Sequence, residues 1–288
     1  MELKFLTPPS GFKRLFYDIE TSYEVGKFWR PSFKAVIRHT DVFIESAIIC
    51  ISYKWEGQKG INTFVWDEGD DKLVVKRFID IAIQADEIIG HNGDNFDEKI
   101  IRTRALFHKI PCPSKFPSLD TLKKARRHFR MDSNTLEHIA KRLTGSGKDK
   151  MEYADWDYIC KPLIPKFFGF KVELPDSYNE AINKMVKYCE LDVIKLEEVF
   201  KELLPYIDHN HHVGAFEGHG RYSCPSCGSE NVYHNKKRIT KAGMVKHTLK
   251  CPPCKRYYTV SNKVYMIKLE DDWKAAMAKQ EEEAKRLS

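Results

Sequence analysis

Asp18 and Glu20 stand one residue apart in the run Phe16-Tyr17-Asp18-Ile19-Glu20-Thr21, where strand formers dominate and no helical period shows. Side chains two apart on a strand share a face, so the two carboxylates would project side by side. Carboxylates held parallel repel each other unless a cation sits between them, and hard divalent ions such as Mg²⁺ or Mn²⁺ suit oxygen donors. Taken alone, the pair also fits an edge strand emerging into solvent. It does not stand alone. Asn95-Phe96-Asp97 offers a further acid after a strand and at a helix start. Asp97 is preferred there to Asp94, because the apolar Phe96 before it would anchor the helix. Tyr188 and Asp192 lie four apart, and four helical residues rise about 6 Å and return to nearly the same face. A phenol and a carboxylate would then point into one site.

A separate group is made of sulfur. Cys224-Pro225-Ser226-Cys227 and Cys251-Pro252-Pro253-Cys254 are two CxxC pairs separated by 23 residues. Four thiolates arranged as two knuckles give a closed tetrahedral Zn²⁺ site, and the spacing suits a zinc ribbon whose knuckles are joined by a hairpin. Its strands would be Val232 to His234 and Lys246 to Leu249, turning at Ala242-Gly243. Cys50, Cys112, Cys160 and Cys189 follow no spacing and read as reduced or buried thiols.

The elements that must position these groups follow from periodicity. Residues 12–20 form a first strand, and Ala47 to Tyr53 and Ile61 to Trp66 continue it as an antiparallel meander. Residues 70–84 carry Leu73, Val74, Phe78, Ile81 and Ala82 at helical spacing. The short strand Glu87-Ile88-Ile89-Gly90 leads to a second helix marked by Ile100, Ile101, Ala105 and Leu106. Strands that give way to alternating strands and helices argue an α/β mixed sheet flanked by helices. Asn134 and Glu137 suggest a capping box, 145–175 reads as an irregular, lid-like segment, and Asp176 opens a long helix to about Leu204. The domains expected are 1–204, a linker at 205–220 with its His209, His211 and His212 in solvent, a ribbon at 221–268, and a charged helical tail at 269–288.

The chain has 288 residues, 42% hydrophobic and 31% charged, with a net charge of +7. That suits a globular protein with a real core. No apolar run reaches membrane-spanning length, and Met1-Glu2-Leu3-Lys4 lacks the build of a signal peptide, so a cytoplasmic location is expected. Residues 219–268 hold 11 Lys and Arg against one acid. Lys236, Lys237, Arg238, Lys241, Lys246 and Arg256 beside Tyr257 offer phosphate neutralisation and ring stacking together, so nucleic acid is the expected partner.

Asp18 with Glu20, Asp97 with Asn92 and Phe96, and Tyr188 with Asp192 together resemble the three motifs of the DEDD superfamily of 3′–5′ exonucleases. The tyrosine branch is the nearer one, found in proofreading domains of family-B DNA polymerases and related phage and bacterial nucleases. The resemblance covers roughly residues 12–204, with long insertions at 21–45 (which holds Trp29 and Phe33) and at 145–175. It implies a ribonuclease H-like fold and hydrolysis of phosphodiesters by two Mg²⁺ or Mn²⁺ ions about 4 Å apart. Asp18 would bridge both ions, Glu20 and Asp192 would complete the nucleophile side, and Asp97 would serve the second. Tyr188 would orient the attacking water, since a phenol of pKa near 10 is a poor base. The resemblance also favours DNA over RNA, single-stranded or 3′-ended, and implies a bacterial or phage-infected cell and a replication or repair protein as further partner. Two other functions remain open: an endonuclease or transposase-like enzyme, and a non-catalytic scaffold on an inactive nuclease core.

Overall fold

The computed structural model describes residues 9–29, 37–145 and 151–287. Phe33, the N-terminal four residues and Ser146-Gly147-Lys148 lie outside them. The chain divides into two compact units, Met1–Phe200 and Lys201–Ser288.

The first unit opens with β1 (Arg14–Thr21), the small antiparallel pair β2 (Val25–Gly26) and β3 (Val42–Ile44), then β4 (Ile48–Trp55) and β5 (Asn62–Val65). Helix α1 (Lys72–Ala82), β6 (Glu87–Gly90), α2 (Asp97–Phe107), β7 (Ser118–Asp120) and α3 (Thr121–His128) follow. Helices α4 (Leu136–Thr144), α5 (Tyr153–Cys160), α6 (Ile164–Phe167) and the long α7 (Asp176–Leu203) complete it. Five strands form one sheet in the order β5-β4-β1-β6-β7. β4 runs antiparallel to both β1 and β5, whereas β6 and β7 run parallel with β1. The expected mixed sheet is therefore present, with β1 at its centre.

Burial explains this order. Every residue of β4 is buried, as a strand covered on both faces requires. One face of β1 sends Leu15, Tyr17 and Ile19 into the main core, where Tyr17 packs on Phe78 of α1 with ring centroids 5.1 Å apart. Phe16 on the opposite face meets Phe200 of α7 at 5.4 Å, edge to face. Strand β1 is thus sandwiched between α1 and α7, and residues 18 and 20 share the α7 side.

The second unit holds the short helix α8 (Val213–Phe216), strands β8 (Tyr233–Ile239), β9 (Val245–Lys250) and β10 (Tyr257–Ser261), and helix α9 (Asn262–Leu287). The strands make an antiparallel sheet, β10-β9-β8. Its small core joins Tyr222, Val232, Leu249 and Val260 to the cysteines. Gly243 at φ +75° turns the β8–β9 hairpin, a conformation that side chains other than glycine's resist.

Several boundaries differ from expectation. The helix after β10 begins at Asn262, inside the segment assigned to the ribbon, because Ser261 Oγ accepts from Val264 N–H at 3.3 Å and starts the helix there. The segment expected as a solvated linker at 205–220 is folded: Ile207 and Val213 are buried, and His212 caps α8 by accepting from Ala215 N–H. In 145–175, the described residues after 150 are largely helical rather than lid-like. Ile159 and Cys160 enter the core, and Trp156 Nε1 donates to the Thr21 carbonyl at 3.0 Å. The cap of α4 is Thr135, whose hydroxyl accepts from His138 N–H, one residue beyond the expected Asn134. Leu73 and Leu106, expected inward, are exposed, whereas the expected Val74, Phe78, Ile81, Ala82, Ile101 and Ala105 are buried, joined on α1 by Val75 and Ile79.

Candidate active site

The carboxylates of Asp18, Glu20 and Asp192 each offer an oxygen, all within 4.8 Å of one another. Two of them come from the strand period of β1 and the third from α7. What holds α7 in register is a set of polar clamps on its sheet-facing side. Cys189 Sγ donates to the Asp18 carbonyl at 3.4 Å. Glu190 Oε1 accepts from Thr63 of β5 at 2.9 Å, and buried Glu197 pairs with Lys54 of β4. Asp192 lies between these clamps and is itself buried. Tyr188 sits one turn before Asp192 on the same helix and is half-buried.

Asp97 is not in that group of three. It opens α2 and reaches β1 from the β6 side. The parallel ladder between β1 and β6 ends after Phe16, and one residue beyond Asp18 the Ile19 N–H bonds to the Asp97 carboxylate instead. The reason given by sequence for choosing Asp97 does not hold, since Phe96 is 46% exposed and anchors nothing. Asp94 is engaged by other partners: it accepts from Ser118 at 2.9 Å and from Lys123 at 2.7 Å. The loop itself is tied by Asp120, whose Oδ1 accepts from Asn92 N–H at 3.0 Å while also capping α3.

Burial, opposed by the Asp97 and Ile19 amides and reinforced by the charges of Asp120 and Glu98, raises the Asp97 carboxyl to about 7. Tyr17 lies beneath these acids and is fully buried. Burial and the charges of Asp97, Glu98, Asp94 and Asp120 push its phenol well above 10, so it stays neutral. Gly93 allows this packing, for a Cβ there would stand 2.9 Å from the Tyr17 Oη. Glu98, Asp120 and Tyr17 are therefore neighbours of Asp97 that lie outside the residues singled out from sequence.

A third acidic group, Asp70, Asp71 and His108, has a different use. Both Asp71 oxygens are occupied: Arg104 donates at 2.7 and 2.8 Å and Ile48 N–H at 2.9 Å, with His108 beside Oδ1. A guanidinium already neutralises this carboxylate, which fastens α1 and α2 to β4.

In the second unit one sulfur from each of Cys224, Cys227, Cys251 and Cys254 falls within the same 4.8 Å limit. Sγ atoms of 224 and 254, and of 227 and 251, are 3.5 Å apart, far beyond the roughly 2.0 Å of a disulfide. A tetrahedral ion with Zn–S near 2.3 Å separates its sulfurs by about 3.8 Å, so the cluster is compatible with a zinc ribbon. Hydrogen bonds among the thiols hold Cys224 well below the ordinary thiol range and push Cys254 up to about 12.

The basic residues named from sequence separate into classes. Lys236, Lys237 and Arg238 are exposed on β8 and Lys241 in the following turn, while Lys246 is half-buried on β9. Tyr257 is 52% exposed, with Lys250 Nζ 5.6 Å from its ring centroid. Arg256 departs from the expectation: its Nη1 donates to the carbonyls of Leu204 and Ile207, so this guanidinium is committed to main chain rather than to phosphate.

A model of the RNase H superfamily matches residues 43–157. The matched stretch runs from β3 into α5 and includes Asp97, whereas Asp18, Glu20, Tyr188 and Asp192 lie outside it. No curated protein matches the chain. With the five-stranded mixed sheet, the first unit is a ribonuclease H-like domain, which supports cleavage of nucleic acid with divalent metals. Among the described residues, no helix is long and apolar enough to cross a membrane.

Proposed function

We propose that the protein is a metal-dependent 3′–5′ exonuclease acting on single-stranded or 3′-ended nucleic acid, DNA by preference. The observation that carries this reading is the convergence of Asp18, Glu20 and Asp192 within 4.8 Å, with Asp97 bonded to the β1 backbone one residue away. Three hard oxygen donors suit Mg²⁺ or Mn²⁺, and Asp97, set apart from the three, suits a second ion shared with Asp18. When bound, the ions supply an activated water and charge for the leaving oxygen. Asp18, Glu20 and Asp192 would hold the ion on the nucleophile side, Asp97 would hold the other, and Tyr188 would orient the attacking water. Polarity and the preference for DNA rest on the resemblance to proofreading exonucleases alone. The basic second unit, with Zn²⁺ on its four cysteines, adds affinity for the strand, and a replication or repair protein and a bacterial or phage-infected cytoplasm remain the expected setting.

Digestion of a 5′-labelled single strand with Mg²⁺ or Mn²⁺ tests this directly. The expected product is a ladder shortened by single nucleotides. Nicking of a closed circle would point to an endonuclease, and retardation without cleavage to a scaffold. Asp18→Ala should lower hydrolysis by about 100-fold or more, on the scale of losing one preorganised charge-stabilising group, while strand binding persists. Tyr188→Phe should lower kcat by about 100-fold with little change in KM; a variant as fast as the parent removes the tyrosine from the mechanism.

A further inference from the structure

The sheet of the second unit has two unlike faces. Cross-strand partners share a face, so the register assigns each side chain. His234, Leu249 and Tyr258 form one rung, and Lys237, His247 and Val260 the next. Leu249, His247 and Val260 of these rungs are buried, and Leu249 and Val260 pack with the cysteine cluster. The opposite face carries the alternate rungs: Tyr233, Lys250 and Tyr257; then Lys236, Thr248 and Thr259; then Arg238, Lys246 and Ser261. Tyr233 is 59% exposed and Tyr257 52%. No acid occurs in these rungs, and residues 219–268 hold 11 basic residues against one acid.

We propose that this face is a binding platform for a single nucleic-acid strand with unpaired bases. Strands two apart in a sheet are separated by about 10 Å, so Tyr233 and Tyr257 present two rings on one level with the Lys250 ammonium between them. A ring on an open sheet reaches the π-face of a base only when that base is free of a duplex stack. Lys236, Arg238 and Lys246 continue from this aromatic end as a basic track for the phosphates. Lys237, one position along β8, lies on the other face because the bulge between His234 and Lys236 resets the alternation. The proposal rests on the reading of the second unit as a nucleic-acid contact, and it narrows that reading to unpaired strands and to one face.

The test uses full-length protein carrying Asp18→Ala, so that no strand is consumed, with fluorescein-labelled oligothymidylate, oligouridylate and a blunt duplex in anisotropy titrations. Single strands should bind more tightly than the duplex, and the tighter of the two homopolymers shows which of the two probes the face favours. Tyr233→Ala with Tyr257→Ala should weaken single-strand binding by about 100-fold, roughly tenfold for each ring. The Phe pair should bind as the parent does. Lys236→Ala with Arg238→Ala should reduce the salt slope by about 1.4, and Lys237→Ala should leave both affinity and slope unchanged. Both tyrosines are more than half exposed, so the melting temperature should hold; should the Ala pair melt early, the Lys-Arg pair and Lys237→Ala decide. Equal affinity of the Ala pair and the parent, or a preference for the duplex, overturns the platform and leaves the exonuclease reading intact. A parent that binds none of the three probes overturns the reading beneath it.

Discussion

Asp97 has surroundings far from those of an ordinary surface carboxylate. It is 6% exposed, Glu98 and Asp120 crowd it, and its carboxyl is raised to about 7. An arrangement of this kind costs stability until a cation answers the charge, which is a common feature of functional sites. Asp97→Asn keeps an oxygen for the Ile19 N–H and removes the crowded charge. In a chelator at neutral pH, its melting temperature should therefore exceed the parent's by a few degrees, at about 2–4 °C for each kcal/mol relieved. With Mg²⁺ the order should reverse, because the parent gains from binding the ion and the variant much less, and hydrolysis should be lost. Calorimetry with and without metal checks both halves. An Asn variant that melts below the parent in chelator would show that the Asp97 carboxylate is stabilised by its neighbours rather than strained by them.

At the scale of elements, the position of α2 depends on a fastening far from the acids. Burial pushes the Asp71 carboxyl up, but Arg104, the Ile48 N–H and His108 together hold it below the usual carboxylate range. A depressed carboxyl stabilises the fold above its unfolded value near 3.9, and that contribution fades as pH falls through the folded value. Asp71→Asn should thus lower the urea midpoint clearly at pH 7, with the gap to the parent narrowing below about pH 4. A gap of constant size from pH 7 to pH 3 would assign the cost to packing instead. The same contrast between near and far explains what sequence conveyed. The closeness of Asp18 and Glu20 was legible because strand period alone puts them on one face, and helical period likewise puts Tyr188 and Asp192 on one face of α7. The surroundings of Asp97 were legible only in part: Glu98 is its neighbour in sequence, but Asp120 is brought near it by a loop whose path depends on an Asn92 N–H finding Asp120 28 residues away. The bulge that turns Lys237 from the open face and the carbonyls that engage Arg256 are likewise tertiary facts. Charge content raised the expectation of a polyanionic partner; only register says which charges share a face.

For the whole molecule, the division into two units would, on the proposed reading, separate hydrolysis from affinity, and the cysteines provide a way to test that separation. The second unit buries few apolar side chains around its four sulfurs, too few for a domain of its size to fold on core burial alone. Metal binding there would be folding energy, so the loss of one ligand should unfold the ribbon and release the ion. The first unit has its own core, and its acids owe nothing to the cysteines. Cys251→Ser should consequently lose zinc by elemental analysis and bind single strands weakly at about 150 mM salt, where few phosphate contacts remain effective. Hydrolysis of a small ester such as thymidine 5′-p-nitrophenyl phosphate, which needs only the carboxylate site, should continue at the parent rate. The two readouts move independently if the units are independent. Zinc retained in full by Cys251→Ser would refute the four-thiolate site, and loss of small-ester hydrolysis with the zinc would show that the first unit needs the second in order to work.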